Sequence, residues 1–488
     1  MPLGNTFEGL YRPLSQEQIR TIHQAALNIL ETTGIGFEPG LDEAIEALTQ
    51  AGATRHPEKA RVTLPRGLVE EQVAKAPERV LLTSRDSQND LDLTEHRVHL
   101  GTGGAAVKIL DLETGLARST TLQDLYNLGR LVDRLENIHF FLRPCIPTDI
   151  PEESYDVNVF YTCFQATAKH VMAGVNHVQG LQSVLSLAEL LLEEGQSLQE
   201  HPFFSIITSF IISPLKLSTQ PVQIMLEAVR RGVPVALSGA PMAGSTSPLT
   251  MAGTLVQAHA EQLAGITLCQ LTQPGAPLLY GAIPSRADLK TMNYCGGAVE
   301  CAMMNAAIHQ LAHHIRVPNY NSSGLSDSKL PDAQAGWEKG MSTLLAAMAG
   351  SNYVHHAAGM LESMLGVAYE QFVIDDEIIG MACRVLRGIE VDQERLALEV
   401  IDAVGPGGEF MTSDHTFEHM HSEYFGGNGV TDRADRATWD QSGGQDARQR
   451  ARGIAQKILK TEAAPCIPQD VDQKIRDQFD ILLPIDHK

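Results

Sequence analysis

The feature that most constrains the fold of this chain is a regular alternation of short strand-like segments with longer segments of helical period. Strands are predicted at residues 98–100, 140–143, 170–174, 203–209, 233–239, 278–282, 317–321 and 353–357. Helices are predicted between them at residues 122–135, 157–168, 181–194, 220–231, 249–272, 297–315 and 331–349. Eight such units within about 270 residues have the number and size of a (β/α)8 TIM barrel. We therefore predict an α/β fold of this kind.

Both flanks of the alternating region have a different pattern. Ser15 and Gln18 form a capping box before an amphipathic helix, and two more helices are predicted at 42–51 and 65–75. Strand-like alternation and a hairpin turn follow up to about residue 121. No low-complexity linker divides the chain. We predict a helical N-terminal cap with a small β element over 1–96, the barrel over 97–366, and a helical C-terminal extension packed on it over 367–488.

Composition excludes several classes of function. Among 488 residues, 43% are hydrophobic and 20% are charged, which is typical of a folded globular protein. The formal charge of −22 argues against binding to nucleic acid, which requires basic patches. The seven cysteines are scattered and contain no CxxC pair, so neither a disulfide framework nor a thiolate zinc site is predicted. The N-terminus lacks a signal pattern and no long apolar run is present, so a cytoplasmic protein without a membrane segment is expected.

Polar residues gather where the last two predicted strands end. Tyr320 and Asn321 close the seventh strand, and His355 and His356 lie in the eighth. Ligands of parallel α/β folds bind at the carboxyl ends of the strands, so all four are predicted site residues. Because side chains alternate along a strand, at most one of the two histidines is expected to face the barrel lumen. His356 is predicted to be that catalytic residue, with a satisfied core histidine as the alternative.

Aromatic residues also end or follow strands near this site. Phe210, Tyr280 and Tyr320 could hold a quaternary ammonium group through cation–π attraction, although plain core packing is the alternative for each of them. The loop after the seventh strand adds Asp327 and Lys329 as candidates for substrate binding.

Two glycine-rich segments follow predicted strands and offer close backbone approach to a flat ligand. The predicted cofactor-binding residues are Gly103, Gly104, Gly239, Gly244, Ser245 and Ser247. The sequence lacks GxxxxGK[ST], so neither segment is a phosphate loop. Tight turns at the corners of the barrel are the alternative explanation.

Two histidine-containing motifs lie apart from these strands. His415, Glu418 and His419 match H-x-x-E-H, which would suit a metal-dependent hydrolase. Three more histidines, at positions 309, 313 and 314, close a long predicted helix, where positive charge at the carboxyl end explains them without catalysis. We predict that the chain itself binds no metal and keep the hydrolase as an alternative.

Several longer stretches carry a resemblance. The segments SGLSDSKLPDAQAGWEKG, SNYVHHAAGMLES, VIDDEIIGMACRVLRGIEVD and VGPGGEF resemble the trimethylamine methyltransferase family, the corrinoid-dependent methyltransferases of tertiary and quaternary amines. The resemblance implies a TIM barrel that receives a corrinoid on a separate small protein, with a methyl group passing from an amine nitrogen to Co(I). The chain has no DxHxxG motif, so the corrinoid is expected on that partner. A homo-oligomer is also expected.

The resemblance further limits the substrate. Archaeal trimethylamine members carry pyrrolysine, whereas every position here is an ordinary residue, so the chain is similar to the betaine-demethylating branch. A quaternary amine needs no general acid because its leaving group is a neutral tertiary amine. Betaine-using relatives would be expected to hold the carboxylate with an arginine near the seventh strand, where this chain has Asn319, Tyr320 and Asn321. That task would pass to His356, Lys329 or backbone amides. Trimethylamine, another methylated amine, or non-catalytic binding of a quaternary ammonium compound are the alternatives.

Overall fold

The first part of the chain combines helices with short strands. This computed structural model describes residues 9–462 and 465–485. The first eight residues of the N-terminus, for which no signal pattern was predicted, therefore lie outside the described part. The elements of this part are α1 Gln16–Thr32, β1 Ile35–Phe37, α2 Asp42–Gln50, β2 Thr54–His56, β3 Arg61–Thr63, α3 Arg66–Val73, β4 Val80–Leu82 and β5 Leu91–Leu93. Helix α1 begins with the predicted capping box, in which the Ser15 hydroxyl accepts from the Gln18 amide and the Gln18 side chain accepts from the Ser15 amide.

The next part contains the predicted alternation. Its first half comprises β6 His99–Thr102, β7 Lys108–Leu110, β8 Ala117–Ser119, α4 Leu122–Asp133, β9 Phe141–Leu142, α5 Tyr155–Ala166, β10 Val171–Ala173, α6 Val178–Glu189, β11 Phe204–Thr208, β12 Ile211–Ile212, β13 Lys216–Leu217 and α7 Thr219–Arg230. Its second half comprises β14 Val235–Gly239, β15 Met242–Ala243, α8 Met251–Thr272, β16 Leu278–Ala282, β17 Ser285–Arg286, α9 Val299–His314, β18 Tyr320–Ser322, α10 Ala333–Ala349, β19 Tyr353–Ala358, β20 Met360–Leu361, β21 Gly366–Ala368 and α11 Tyr369–Arg387. All eight predicted strands and all seven predicted helices are present.

The eight predicted strands lie in two parallel sheets. One sheet has the order β16-β14-β11-β10-β9, and the other has the order β18-β19-β6. Backbone hydrogen bonds also cross between the sheets on both sides. The Tyr280 amide donates to the Pro318 carbonyl at 2.9 Å, and the His139 amide donates to the Leu100 carbonyl at 2.8 Å. The carboxyl ends of the eight strands therefore point in a common direction.

Alternating residues of these strands share one apolar cluster. It includes Phe140, Leu142, Met172, Ala236, Leu279, Tyr320 and Tyr353. The antiparallel pair β4–β5 adds four more side chains to the same cluster, so this hairpin packs beneath the strands. The other side chains of the strands pack against helices in a larger core.

Helices cover the outer side of the strands. Helix α8 is buried around most of its surface because α1 and α3 pack across it, and α11 packs against α10 and α15. The last part of the chain contains α12 Leu398–Val404, α13 Asp414–His419, α14 Arg436–Gln441, α15 Ala447–Lys460 and α16 Gln469–Gln478. In the described part of the chain, the helices are too short or too polar to cross a bilayer.

Candidate active site

A cavity of about 490 Å³ opens at the carboxyl ends of the parallel strands. The polar residues lining it are Arg143, Asn176, Thr208, Ser209, Gln220, Ser238, Tyr320, His355 and His356. The remaining lining residues are apolar or glycine, and none of the described residues lining it is Asp or Glu. The position agrees with the prediction that ligands bind at the strand ends.

His355 and His356 both line the cavity, so the prediction that at most one of them faces inward is wrong. Their ring centroids lie 3.7 Å apart. The reason is that His356 has a φ of +67° and the pairing of β19 with β6 changes register between Val354 and Ala358. A left-handed residue breaks the alternation on which the prediction depended.

Hydrogen bonds define the state of each ring. The Nδ1–H of His355 donates to the Asn321 carbonyl, so its Nε2 carries a lone pair. The Nδ1 of His356 pairs with the Ser322 hydroxyl at 2.8 Å. Burial lowers the pKa of His355 to about 3 and lowers the pKa of His356 well below its ordinary value. Both imidazoles are therefore neutral at physiological pH.

The three predicted aromatic residues do not converge. Tyr320 lines the cavity, but its ring stacks on His355 with centroids 3.9 Å apart. The hydroxyl of Tyr280 pairs with His259 Nδ1 of α8 at 2.8 Å, on the opposite side of the strand. Phe210 packs onto α8, where its ring would lie 2.6 Å from a Cβ at Gly265. Core packing, the alternative kept for each residue, therefore accounts for Tyr280 and Phe210, because both side chains face the helices.

The polar residues predicted beside Tyr320 have structural partners elsewhere. Asn321 Nδ2 donates to the Asn305 carbonyl at 2.7 Å and to the Ser351 hydroxyl at 3.1 Å. Asp327 accepts from the Gly297 amide at 3.1 Å, and the exposed Lys329 donates to the Asp327 carbonyl at 2.7 Å. The structure therefore places all three outside the cavity.

Among the predicted cofactor-binding residues, Gly104 lines the cavity, whereas Gly103, Gly239, Gly244, Ser245 and Ser247 do not. Internal packing explains the glycines. A Cβ at Gly103 would lie 3.1 Å from His355, and a Cβ at Gly104 would lie 2.3 Å from the sulfur of Met360. A Cβ at Gly239 would lie 3.0 Å from Ile211, and one at Gly244 would lie 3.1 Å from Leu249.

The two predicted serines of the second segment serve its turn. The Ser245 amide donates to the Met242 carbonyl at 3.0 Å. The Ser247 hydroxyl pairs with the Thr254 hydroxyl at 2.8 Å, which connects the turn to the first residues of α8.

Arg143 is a candidate site residue that the sequence did not suggest. It follows β9 directly and lines the cavity. Its Nε is buried without a hydrogen-bond partner, and in the described part of the chain no carboxylate forms an ion pair with its guanidinium. An unpaired buried donor of a charged group costs about 1–3 kcal/mol or more. The missed signal was a charged residue at the carboxyl end of a predicted parallel strand.

A buried ion pair supports the loops at the cavity. Lys339 of α10 and Asp375 of α11 lie 3.1 Å apart, and both side chains are fully buried. Lys339 also donates to two carbonyls. One belongs to Gly324, which follows β18, and the other belongs to Met360, the first residue of β20. Burial raises the pKa of Asp375 to about 6, and burial lowers the pKa of Lys339.

The H-x-x-E-H motif, on which the alternative of a metal-dependent hydrolase depends, lies outside the cavity. His415 and His419 of α13 have ring centroids 4.4 Å apart. Ligand atoms of Glu418 and His419 gather with Glu394 rather than with His415. Two of these three ligating residues are exposed. The structure does not assemble His415, Glu418 and His419 into the set of ligands that this alternative requires.

Comparison with known proteins places this arrangement in a family. Residues 5–480 match the family described as trimethylamine methyltransferase (MTTB). The chain belongs to the trimethylamine methyltransferase family. The resemblance found in the sequence and the prediction of a methyltransferase are thereby confirmed.

Two relatives of this family span nearly the whole chain. The trimethylamine methyltransferase MttB of Desulfitobacterium hafniense (strain DSM 10664 / DCB-2) is 35% identical over 95% of this chain and 92% of its own length. The glycine betaine methyltransferase of Desulfitobacterium hafniense (strain Y51) is 32% identical over 96% of both chains. The methyltransferase family therefore includes relatives named for different substrates.

Solved structures show the fold. The monomethylamine methyltransferase MtmB of Methanosarcina barkeri superposes with a TM-score of 0.53 at 10% identity, covering 94% of this chain and 90% of that one. A hydroxylamine complex of MtmB gives a TM-score of 0.54 at 10% identity, with the same coverage. The mixed α/β fold is shared with these structures.

Proposed function

We propose that this methyltransferase removes a methyl group from a betaine-like quaternary amine that carries a carboxylate, such as glycine betaine. Arg143 is the observation that supports this substrate class. Its guanidinium is the only charged side chain lining the cavity among the described residues, and it has no carboxylate partner there. A carboxylate on the substrate would form a bidentate, charge-assisted pair with it.

The cavity also disfavours a substrate that is only a cation. His355 and His356 are neutral, and the described lining contains no acidic residue. A tetraalkylammonium ion without an anionic group would add a second positive charge beside Arg143 in a partly enclosed space. A zwitterion brings a compensating charge of its own, so the electrostatics favour a betaine over choline-like compounds.

The residues of β18 and β19 would hold the ammonium end. His355 Nε2 presents a lone pair, and a neutral acceptor can approach the polarised methyl groups without forming a buried ion pair. His356, fixed by Ser322, is proposed as the residue that positions the reacting methyl group. No proton needs to move before the carbon–nitrogen bond breaks, which agrees with two imidazoles held neutral.

A Co(I) corrinoid carried by a separate protein is proposed as the methyl acceptor. Small residues at the strand ends, including Gly104, Gly174 and Ala240, leave the cavity open to such a partner. We further propose that the two parallel sheets form one closed (β/α)8 barrel, since backbone hydrogen bonds cross both gaps between them. The domain limits at 96 and 366, the homo-oligomer and the cytoplasmic location stay predictions.

The test compares substrates in the wild-type protein and in Arg143→Gln. Purified protein is mixed with reduced corrinoid protein and with glycine betaine, tetramethylammonium or trimethylamine, and the corrinoid spectrum is followed. We expect the wild type to demethylate glycine betaine. Loss of the charged hydrogen bonds in Arg143→Gln should raise KM for glycine betaine about tenfold to a hundredfold, equivalent to roughly 1.5–3 kcal/mol.

Matched comparisons make this test decisive. Arg316→Gln removes an exposed arginine that pairs with Glu78 away from the cavity and should leave KM unchanged. Preference for trimethylamine, or an equal KM for glycine betaine in Arg143→Gln, would contradict the proposed substrate class. Calorimetric binding of the betaine without methyl transfer would favour the non-catalytic binding protein.

A further inference from the structure

Three histidines converge at the end of the strands opposite the cavity. His96 precedes β6, whereas His309 and His313 lie one turn apart near the carboxyl end of α9. One nitrogen of each residue lies within 4.8 Å of the other two. His309 is 2% exposed and His313 is exposed, so the cluster extends from the core to the surface.

The tautomer of His309 is determined by its surroundings. The backbone amide of Asn352 donates to Asn319 Oδ1 at 2.9 Å, which identifies that atom as the oxygen. His309 Nδ1 lies 2.9 Å from the same oxygen and must therefore carry the hydrogen. The Nε2 of His309 consequently accepts from the Nδ1–H of His96 at 2.8 Å. A metal ion bound by both nitrogens would take the place of this hydrogen, which would move to the other ring nitrogen of His96. An amide oxygen that orients a histidine in this way is typical of the surroundings of metal ligands.

The segment that carries His96 is held in place by the same asparagine pair. Asn319 and Asn352 exchange hydrogen bonds through backbone amides and side-chain oxygens. The Asn352 Nδ2 then donates to the Glu95 carbonyl at 3.0 Å and to the Arg97 carbonyl at 3.1 Å, on either side of His96. Gly350 provides space for the imidazole, because a Cβ there would lie 2.7 Å from His96 Nδ1.

The electrostatics at this end of α9 favour a cation other than a protonated histidine. The helix ends at His314, so its unpaired carbonyls attract positive charge. Burial nevertheless lowers the pKa of His309 to about 3, and burial also lowers the pKa of His313. The sequence-based explanation, in which charged histidines complement the helix dipole, is therefore wrong for His309.

We propose that His96, His309 and His313 bind one divalent transition-metal ion, with Zn²⁺ as the preferred ion. Imidazole nitrogens are its usual ligands, and a tetrahedral site with Zn–N of about 2.0–2.1 Å separates two nitrogens by about 3.3 Å. The His96–His309 pair would open by only about half an ångström from its 2.8 Å contact. The exposed side of His313 leaves the fourth position to water. The ion would connect the segment before β6 with α9, away from the proposed site of methyl transfer.

A second histidine cluster provides the matched control. His23 Nδ1 lies 2.9 Å from His259 Nε2, and His314 has its ring centroid 5.0 Å from that of His23. The ring nitrogens of these three histidines do not all lie within 4.8 Å of one another, whereas those of the first cluster do. His314→Ala therefore removes a histidine from the same turn of α9 without removing a proposed ligand.

The experiment uses the full chain without an affinity tag. The protein is stripped with chelator, incubated with Zn²⁺, dialysed and analysed by elemental mass spectrometry, and Tm is measured before and after addition of Zn²⁺. We expect one equivalent of Zn²⁺ per chain and a higher Tm for the wild type and for His314→Ala. His96→Ala and His313→Ala, whose side chains are not fully buried, should fold but retain no equivalent. Bound Co²⁺ should show the visible absorption of a tetrahedral nitrogen site in the wild type and in His314→Ala, and not in His96→Ala or His313→Ala.

Two results would overturn the proposal. One is a wild-type chain that retains no metal after incubation with Zn²⁺. The other is equal retention in the wild type, His96→Ala and His313→Ala, which would place the ion elsewhere, for example at Glu394, Glu418 and His419.

Discussion

The rings of His355 and His356 lie against each other at the cavity in a tilted arrangement, with centroids 3.7 Å apart and planes inclined by 45°. Consecutive residues of a strand normally point to opposite sides. The left-handed backbone of His356 brings its ring back beside that of its neighbour. The residue proposed to position the methyl group is therefore also a site of backbone strain.

Two replacements of His356 should distinguish the effect of its side chain on methyl transfer from the effect of its left-handed backbone on stability. A left-handed conformation costs a residue with a side chain roughly 1–2 kcal/mol more than glycine. His356→Gly should therefore be more stable to urea than His356→Ala by about 1 kcal/mol. Both variants should lower methyl transfer about tenfold to a hundredfold if one hydrogen bond to the substrate complex is lost. Equal stability of the two variants would show that the strain is absent.

His355→Ala should also reduce turnover, because its ring lines the cavity and stacks on Tyr320. A purely structural role would lower Tm and leave kcat/KM for the betaine unchanged. The corrinoid assay therefore distinguishes the two roles directly.

Tyr280 and Tyr320 provide a matched pair with opposite expectations. Tyr280→Phe removes a hydrogen bond to His259 on the helix side and should cost about 0.5–1.5 kcal/mol of unfolding free energy without changing KM. Tyr320→Ala should change the kinetics, because this ring lines the cavity and supports His355. A change of KM in Tyr280→Phe would mean that this residue contributes to the site after all.

The buried pair Lys339–Asp375 should be essential for stability. Lys339→Met leaves the Asp375 carboxylate buried without its counterion and should cost about 3–5 kcal/mol in urea denaturation. The double variant Lys339→Met/Asp375→Asn removes both charges and should be more stable than Lys339→Met alone. If the two substitutions are simply additive, the ion pair does not contribute as proposed.

Stability should fall as the pH decreases below about 6.5. Burial lowers the pKa of His170 to about 4 and those of His309 and His355 to about 3, whereas the unfolded chain protonates them near 6.5. The unfolded state therefore binds more protons between about pH 4 and 6.5, so the free energy of unfolding increases with pH in that window. Asp375 has the opposite effect, because its pKa is raised to about 6 in the folded state. Below pH 6 the folded state binds up to about one more proton at Asp375 than the unfolded state does, which reduces the dependence of the unfolding free energy on pH.

The contribution of a single histidine can be measured. His170 Nδ1 lies 2.9 Å from the Thr83 carbonyl, and its Nε2 lies 2.8 Å from the Ser205 hydroxyl, so Gln can replace much of its bonding. Between pH 7.5 and 5.5, urea denaturation should show a loss of unfolding free energy that is smaller in His170→Gln than in the wild type by about 1.4 kcal/mol in total, or roughly 0.7 kcal/mol per pH unit. An unchanged slope would mean that His170 does not titrate as its burial indicates.

The sequence by itself determined the elements, their order and the family. Hydrophobic periodicity is local, so the eight strands, their helices and the capping box of Ser15 are found where they were predicted. Strand order also indicated the end of the fold that carries the cavity, and Tyr320, His355 and His356 lie there. Motifs spread along the chain were sufficient to identify the methyltransferase family.

Only the tertiary structure decided which side chains face the cavity. Tyr280, Asn321 and Phe210 turn to the helices because their partners His259, Asn305 and Gly265 come from other parts of the chain. The left-handed turn at His356 depends on pairing between strands far apart in sequence. Arg143 ends a predicted strand, but only the structure shows that its Nε has no hydrogen-bond partner. The cluster around His309 became visible only through the convergence of three histidines, and local sequence patterns carry no information about such long-range contacts.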